Sequence, residues 1–248
     1  MRYGVAGDVH GNLHALRTVL EALRDAGVER IVCPGDVVGY GPRPDACVEL
    51  LVEADALVVA GNHDLMAIGE LPIEGTGGIV RRTIEWTRAE ISGDTRAWLA
   101  GLPLELRTDD GVLVTHGALG DPTRYVRDDT AALGQLGELG ERDPSAAGML
   151  IGHTHRPMEL TAPDGRWLLN AGSVGQSREA APLARALVFD GPAGPSSAKF
   201  LALDYDVAAT RRELRAAGLP AHACHLAPGR LAHIRRRVAS LATGDAAR

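Results

Sequence analysis

Five short apolar runs of this chain are each followed at once by a polar side chain that can bind a metal ion, with a glycine beside it. Runs of four or five apolar residues predict short buried strands. They are Tyr3–Ala6, Ile31–Pro34, Ala56–Ala60, Gly111–Thr115 and Gly148–Ile151. The carboxyl ends of strands border the ligand crevice of an open α/β sheet. The sequence therefore predicts one site to which five distant segments contribute.

Amphipathic segments separate the apolar runs of the first half. Leucines recur at three- and four-residue steps from Leu13 to Leu23, which predicts a helix. Further helices are predicted at Asp45–Glu53, Ile79–Ile91 and Thr130–Leu139. Alternating strands and helices indicate a parallel sheet with helical crossovers.

Strand candidates lie closer together in the second half, at Arg166–Leu169, Ala186–Phe189 and Phe200–Leu203. The turn signal Pro163-Asp164-Gly165 favours antiparallel pairing there, and Pro192 to Ser197 is predicted to be a loop. From Asp204 onward the pattern is helical, with breaks near Gly218 and Pro228-Gly229. We therefore predict a domain over residues 1–203 and a helical extension over 204–248 that packs on it, because a short helix pair buries little alone.

The polar residues at the strand ends suit a pair of divalent metal ions. Imidazole and carboxylate together favour manganese, iron, zinc or nickel. Seven candidate ligands are too many for one tetrahedral ion, but one shared carboxylate divides them into four and four. They are Asp8, His10, Asp36, Asn62, His116, His153 and His155. Two such ions can hold a hydroxide between them and clamp a phosphoryl group for in-line displacement.

Two of the motifs carry ligand residues two positions apart, in Asp8-Val9-His10 and His153-Thr154-His155. In extended chain such residues face the same way, so one segment is expected to serve two neighbouring ions. The net charge of −6 does not oppose an anionic substrate, because two divalent ions outweigh the two carboxylates and the hydroxide.

The ordered motifs resemble those of the calcineurin-like metallophosphoesterases, and most closely the small bacterial and archaeal phosphodiesterase-type members. The resemblance spans about residues 1–203. It implies an α/β fold, a four-layer αββα sandwich of two mixed sheets flanked by helices. It also implies a hydrolase that cleaves a phosphodiester or a phosphomonoester with two divalent metal ions. Manganese is the metal we favour, with iron, zinc, nickel and magnesium as alternatives.

The resemblance assigns the ligands to two ions that share Asp36. The first ion would be held by Asp8, His10, Asp36 and His155. The second would be held by Asp36, Asn62, His116 and His153.

The resemblance further implies that His63 acts beside the metal pair as a general acid or transition-state stabiliser. With Asp36 it forms the candidate catalytic pair, and the candidate substrate contacts are Asn62, His63, Tyr40 and Arg178. The Ser/Thr protein phosphatases of this superfamily carry Asp-Arg-Gly where this chain has Gly39-Tyr40-Gly41. Their phosphate-binding arginine is thus replaced by Tyr40 and their histidine-orienting carboxylate by Gly39, which argues against protein phosphatase activity.

Other functions and partners are also compatible with parts of this sequence. A phosphatase of nucleotides or dinucleoside polyphosphates is the main alternative, and a non-catalytic scaffold is disfavoured because every ligand is present. The expected partner is a small phosphorylated substrate, and homo-oligomerisation is left open. Arg235–Arg237 is too short a basic cluster to predict nucleic-acid binding. Three unpaired cysteines and the lack of an apolar run of about 20 residues predict a cytoplasmic protein without a membrane span.

Overall fold

The apolar runs of the first half form the parallel core of a five-stranded sheet in this computed structural model, which describes residues 1–226. Its strands are β1 (Arg2–Val5), β2 (Arg30–Cys33), β3 (Leu57–Val58), β9 (Ala184–Asp190) and β10 (Lys199–Leu203). The order is β10-β9-β1-β2-β3. Strands β1, β2 and β3 are parallel as predicted, whereas β9 runs antiparallel to both β1 and β10.

A second five-stranded sheet follows in the chain. Its strands are β4 (Glu105–Arg107), β5 (Val112–Thr115), β6 (Gly148–Ile151), β7 (Pro157–Thr161) and β8 (Trp167–Ala171), in the order β4-β5-β6-β8-β7. Strands β5, β6 and β8 are parallel, and the edge strands β4 and β7 are antiparallel to their neighbours. The predicted turn at Pro163-Asp164-Gly165 joins the β7–β8 hairpin, where Gly165 has φ +89° and donates its backbone hydrogen bond to Ala162 O at 2.9 Å.

Seven α-helices are present in residues 1–226. They are α1 (Leu13–Asp25), α2 (Pro44–Glu53), α3 (Asn62–Ile68), α4 (Gly78–Glu90), α5 (Gly93–Ala100), α6 (Asp129–Arg142) and α7 (Val207–Ala216). The four helices predicted in the first 150 residues are confirmed as α1, α2, α4 and α6. Side-chain caps start two of them: Asn12 accepts from the amide of Ala15, and Asp128 accepts from the amide of Ala131.

The elements form four layers in the order helix, sheet, sheet and helix. A layer of apolar side chains fills each of the three spaces between them. Leu16 and Leu23 of α1 and Leu51 of α2 are buried on the outer face of the first sheet. Tyr3, Val5, Val114, Leu169 and Phe189 are buried between the sheets. Leu136 and Leu139 of α6 are buried with Met149 and Ile151 on the outer face of the second sheet. The predicted four-layer αββα sandwich is confirmed.

Some elements differ from the predictions. Strands β4 and β7 and helices α3 and α5 were not predicted as separate elements. The predicted loop from Pro192 to Ser197 lies in a 3-10 helix, Gly191–Ser197, which is kinked at Gly194. No helix in the described part of the chain is long and apolar enough to cross a bilayer.

Helix α7 joins the sandwich through polar contacts with residues at the starts of α1 and α2. The Thr210 hydroxyl donates to Oδ1 of Asn12 at 3.1 Å, and Glu213 binds both His14 at 3.2 Å and Arg43 at 3.0 Å. Residues 227–248 lie outside the described residues, and with them about half of the predicted extension over 204–248 and its break at Pro228-Gly229. The division into domain and extension stays a prediction.

Candidate metal centre

The predicted ligands meet at the carboxyl ends of the strands and form two groups that share Asp36. The first group contains Asp8, His10, Asp36 and His155, and the second contains Asp36, His116 and His153. Within each group one ligand atom per residue lies within 4.8 Å of all the others, and every member is buried. Oxygen and nitrogen atoms gathered this closely can coordinate one ion per group.

The first group is centred on the facing Nε2 atoms of two histidines. His10 Nε2 lies 3.1 Å from His155 Nε2. Asp8 Oδ1 is 3.3 Å from His155 Nε2 and 3.8 Å from His10 Nε2, and Asp36 Oδ2 is 3.6 Å from His10 Nε2. Two carboxylates and two imidazoles thus surround one point.

The second group is centred on His116. Its Nε2 atom lies 3.3 Å from Asp36 Oδ2, 3.2 Å from His153 Nδ1 and 3.0 Å from Asn62 Oδ1. The amide oxygen of Asn62 therefore joins the carboxylate and the imidazoles as a fourth candidate ligand. Asn62 begins α3 directly after the cap residue Gly61, so the short helix fixes the position of that oxygen.

Each group takes ligands from both sheets. Asp8, His10, Asp36 and Asn62 follow strands of the first sheet, whereas His116, His153 and His155 follow strands of the second. The two sheet ends are joined by backbone hydrogen bonds, such as that from Val174 N to Gly7 O at 3.0 Å. The site therefore lies on the seam between the sheets.

A backbone carbonyl holds the outward nitrogen of each of the four histidine rings. His10 Nδ1 contacts Val38 O at 3.2 Å, His116 Nδ1 contacts Pro34 O at 2.7 Å and His155 Nδ1 contacts Gln176 O at 2.8 Å. For His153 the outward nitrogen is Nε2, which contacts Thr123 O at 3.0 Å. A carbonyl accepts the N–H of the neutral ring, so the other nitrogen keeps its lone pair toward the centre, as metal-binding histidines require.

The shared carboxylate has one oxygen free for ligation. Asp36 Oδ1 accepts the backbone amide of His63 at 2.8 Å. Asp36 Oδ2 is buried, points at both groups and has no hydrogen-bond partner among the described residues. A buried carboxylate oxygen without a donor is costly. A pair of divalent ions fits this structure because it would satisfy that oxygen.

The charges of the centre shift one another's pKa values. Burial raises the pKa of Asp8 to about 7. Burial also acts to raise the pKa of Asp36, but the charge of His116 holds it well below the ordinary value. Burial opposes the protonation of His116, yet the charge of Asp36 raises the pKa of that histidine to about 9. The two carboxylates thus depend on a nearby positive charge, which a divalent ion supplies in larger measure.

The turns that carry the ligands adopt the left-handed backbone conformation. Among the described non-glycine residues, φ lies between 47° and 66° at seven positions, and all but Asp55 belong to the site: Asp8, His10, Asp36, Tyr40, His153 and His155. This corrects the prediction that Asp8-Val9-His10 and His153-Thr154-His155 are extended. The ligands converge because tight turns redirect the backbone. Left-handed non-glycine residues cost free energy and cluster at functional sites.

His63 lies beside the groups with one ring nitrogen unpaired. Its Nδ1 atom is buried without a partner and faces Gly39, where an added Cβ atom would overlap it. No described carboxylate therefore orients this ring, as the sequence at Gly39 predicts. The neighbouring Asp64 accepts the amides of Val38 at 3.0 Å and Gly61 at 2.9 Å, so its role is to cap α3 and fix the turn after Asp36.

Two of the predicted substrate contacts border this ring. Tyr40 is buried, and its ring centroid lies 4.7 Å from those of both His10 and His63. Arg178 is partly exposed, and its Nε atom donates to Oε1 of Gln176 at 3.2 Å.

A tyrosine that was not predicted also borders the centre. Tyr125 stacks on His153 with ring centroids 3.8 Å apart, and Arg127 covers the Tyr125 ring at 4.0 Å. The aromatic residue between arginines in Arg124-Tyr125-Val126-Arg127 is the one local signal in the sequence, but its pairing with a ligand 28 positions away is visible only in the structure.

Comparisons with known proteins agree with this geometry. The family described as the calcineurin-like phosphoesterase superfamily domain matches residues 1–190. The chain belongs to this superfamily. A solved structure of a metallophosphoesterase from Sphaerobacter thermophilus is similar to this chain, with 31% identity and a TM-score of 0.72 over 90% of this chain and 96% of that chain.

Two further relatives are of unassigned function. An uncharacterized protein of Methanocaldococcus jannaschii is 30% identical over 210 residues, which is 75% of this chain and 81% of that protein. The structure of a hypothetical protein from Pyrococcus horikoshii is 19% identical with a TM-score of 0.77, over 90% of this chain and 96% of that chain, and shows the common fold.

Proposed function

We propose that this protein is a metal-dependent phosphoesterase that hydrolyses phosphate esters at a centre for two divalent ions. The observation that carries the proposal is the shared Asp36, whose unpaired Oδ2 lies 3.6 Å from His10 Nε2 and 3.3 Å from His116 Nε2. One carboxylate oxygen between two ligand groups is the arrangement of a bridged pair of ions. Membership of the phosphoesterase superfamily supports the same chemistry.

The residues fit the ion assignment that the family resemblance implies. Asp8, His10 and His155 would hold one ion, and Asn62, His116 and His153 the other, with Asp36 common to both. When bound, divalent ions supply a nucleophile at neutral pH and offset the charge that develops on the phosphoryl group. Manganese is the metal we favour, because mixed imidazole, carboxylate and amide ligands suit a borderline ion.

The protein's own side chains would orient the ester and donate a proton to the leaving group. His63 has its Nδ1 atom buried against Gly39, which leaves Nε2 as the nitrogen on the open side of the ring. Burial lowers the pKa of His63. We propose that Nε2 donates a proton to the departing oxygen when an anionic substrate restores a higher pKa. Tyr40 packs against this ring at 4.7 Å and would limit its rotation.

The proposed substrate is a small phosphorylated molecule in the cytoplasm. Three free cysteines, Cys33, Cys47 and Cys224, are buried, which fits a reducing compartment. Buried thiols do not exchange readily with other thiols, so these residues are expected to remain inert packing groups.

The test is hydrolysis of p-nitrophenyl phosphate and bis-p-nitrophenyl phosphate by protein reconstituted with manganese. We expect metal-dependent turnover that Asp36→Asn abolishes. Asp55→Asn is the matched control, because Asp55 shares the left-handed conformation of Asp36 but is exposed and pairs with Arg30. A metal-loaded protein inactive on a broad panel of mono- and diesters would contradict the proposal.

A further inference from the structure

Arg178 is a partly buried arginine beside the candidate centre that forms no ion pair with any carboxylate in residues 1–226. Its Nε atom donates to the side chain of Gln176 at 3.2 Å, and the backbone carbonyl of the same Gln176 holds the ring of His155 at 2.8 Å. The guanidinium is thus tied to the residue that orients a candidate ligand. Its remaining N–H groups have no carboxylate partner among the described residues.

The guanidinium lies beside an inner residue of the site. Its N–H groups reach the hydroxyl oxygen of Tyr40. Because the Tyr40 ring also contacts His63, Arg178 lies on the side of the centre where a substrate would meet that histidine.

The loop that carries Arg178 is braced on both sides by a segment that follows the matched family domain. The amide of Leu226 donates to Ser177 O at 3.0 Å, and the ring of His225 contacts Glu179 O at 3.0 Å. The Glu179 carboxylate is held by Arg185 at 2.7 and 2.6 Å. Both chain neighbours of Arg178 are fixed, so little entropy is lost when the guanidinium binds an anion.

We propose that Arg178 binds a non-bridging oxygen of the substrate phosphoryl group and that it makes the site select phosphomonoesters over phosphodiesters. The proposal rests on the proposed function, which it narrows to one substrate class. A guanidinium forms its strongest hydrogen bonds with two oxygens of one phosphate group. A monoester has three non-bridging oxygens, whereas a diester has two because the second alcohol occupies the third. Only a monoester would therefore keep a charged oxygen for Arg178 when the other two face the metal ions.

The charge balance favours the same class. Two divalent ions and the ionised carboxylates of Asp8 and Asp36 leave an excess of positive charge, and Arg178 adds one further unit. A monoester carries close to two negative charges at neutral pH, whereas a diester carries one. The additional cation is therefore used fully only by the monoester.

The experiment compares Arg178→Gln with the wild-type protein, both loaded with manganese. We expect kcat/KM for p-nitrophenyl phosphate to fall by about 10- to 100-fold, the loss typical of a charge-assisted hydrogen bond, and kcat/KM for bis-p-nitrophenyl phosphate to fall much less. Calorimetric titration should show a similar loss of affinity for inorganic phosphate. Manganese content should not change, because Arg178 is not a ligand.

The matched control is Arg24→Gln, which removes the same charge from an exposed position in the last turn of α1, away from the strand ends that carry the site. It should leave both activities and phosphate binding unchanged. Equal losses on the two esters, or unaltered phosphate affinity in Arg178→Gln, would overturn the inference while the proposed function stands. If wild type hydrolyses no ester, the proposed function fails, and the phosphate titration alone decides whether Arg178 binds phosphate.

Discussion

The backbone amide of His63 donates a hydrogen bond to Oδ1 of Asp36 at 2.8 Å. This bond leaves Oδ2 as the only oxygen of that carboxylate that can serve both ligand groups. It comes from the first turn of α3, where the first amides of a helix have no intrahelical acceptor. A helix start thus fixes the orientation of the shared ligand, independently of the His63 side chain.

The metal content is the first prediction. Reconstituted wild type should bind two manganese ions per chain, because two ligand groups share Asp36. His155→Ala and His116→Ala should each weaken one site by at least tenfold, the size of effect known for metal-site contacts. Elemental analysis after gel filtration measures the ratio, and His14→Ala, a partly exposed histidine on α1, is the control. A ratio of one in wild type would contradict two sites.

The second prediction concerns proton transfer by His63. His63→Ala should keep both ions, because the bond to Asp36 comes from its backbone. Its kcat should fall by about 10²–10⁴ on alkyl or nucleoside esters, whose alkoxides leave poorly without a proton, and far less on p-nitrophenyl esters. Steady-state rates on matched ester pairs make the comparison. An equal loss on both types would assign His63 to charge stabilisation or phosphate positioning.

The third prediction tests the close packing at Gly61. A Cβ atom at this position would overlap the carboxylate and the backbone nitrogen of Asp36. Gly61→Ala should therefore displace the shared ligand, lower manganese content and cost about 1–3 kcal/mol in the free energy of unfolding. Urea unfolding and elemental analysis measure both effects.

Gly77→Ala is the matched control for that change. Gly77 also precedes a helix as its cap, has φ −61° and has nothing within 4 Å of an added Cβ atom. Its stability and metal content should stay at wild-type values. If the two variants behave alike, the contact with Asp36 has no role in ligation.

The fourth prediction concerns pH and the docking of α7. Burial acts to raise the pKa of Glu213, but the hydrogen bonds from Arg43 and His14 outweigh it and lower that pKa below its ordinary value. The unfolded chain therefore takes up the proton first as pH falls. The stabilisation is complete above the unfolded pKa of about 4.3 and is lost as pH falls through the folded pKa.

Removing this carboxylate should show the same dependence. Glu213→Gln should lower the free energy of unfolding by about 0.5–1 kcal/mol at pH 7, since Arg43 is largely exposed. The difference from wild type should decrease as the pH is lowered from 7 through the folded pKa of Glu213. Urea unfolding across this pH range measures it, with Glu53→Gln, an exposed residue at the end of α2, as control. A difference that does not change with pH would assign the effect to packing.

The convergence of the candidate ligands could be predicted because their signals are local. The first ligand of each motif lies within two residues of the end of an apolar run, and a strand end is where a sheet exposes side chains to a ligand. Asp36 and Asn62 are examples, since each lies one glycine beyond such a run. The same reasoning placed the parallel strands β1, β2, β5 and β6 within about a residue of their observed bounds.

What could not be predicted depends on contacts between distant segments. Strand β4 has three residues, with Glu105 and Arg107 at its ends, and owes its conformation to pairing with β5. Strand β7 begins with Pro157, which disfavours a strand except at a sheet edge, where it lies. The left-handed turns at Asp8 and His153 were missed because few non-glycine residues adopt that conformation, although Asp and His do so more often than most.

The position of the site at the seam between the sheets has a consequence for the folding of the chain. His155 must reach Asp8 across 147 positions of chain, and no stretch within one sheet contains a complete ligand group. Ions at this seam would bind only after the two sheets have packed together. Once bound, they would link the two sheets. Binding free energy gained there adds to the stability of the folded state alone. Removal of the ions by a chelator should therefore weaken the packing between the two sheets, while the strand pairing within each sheet is kept.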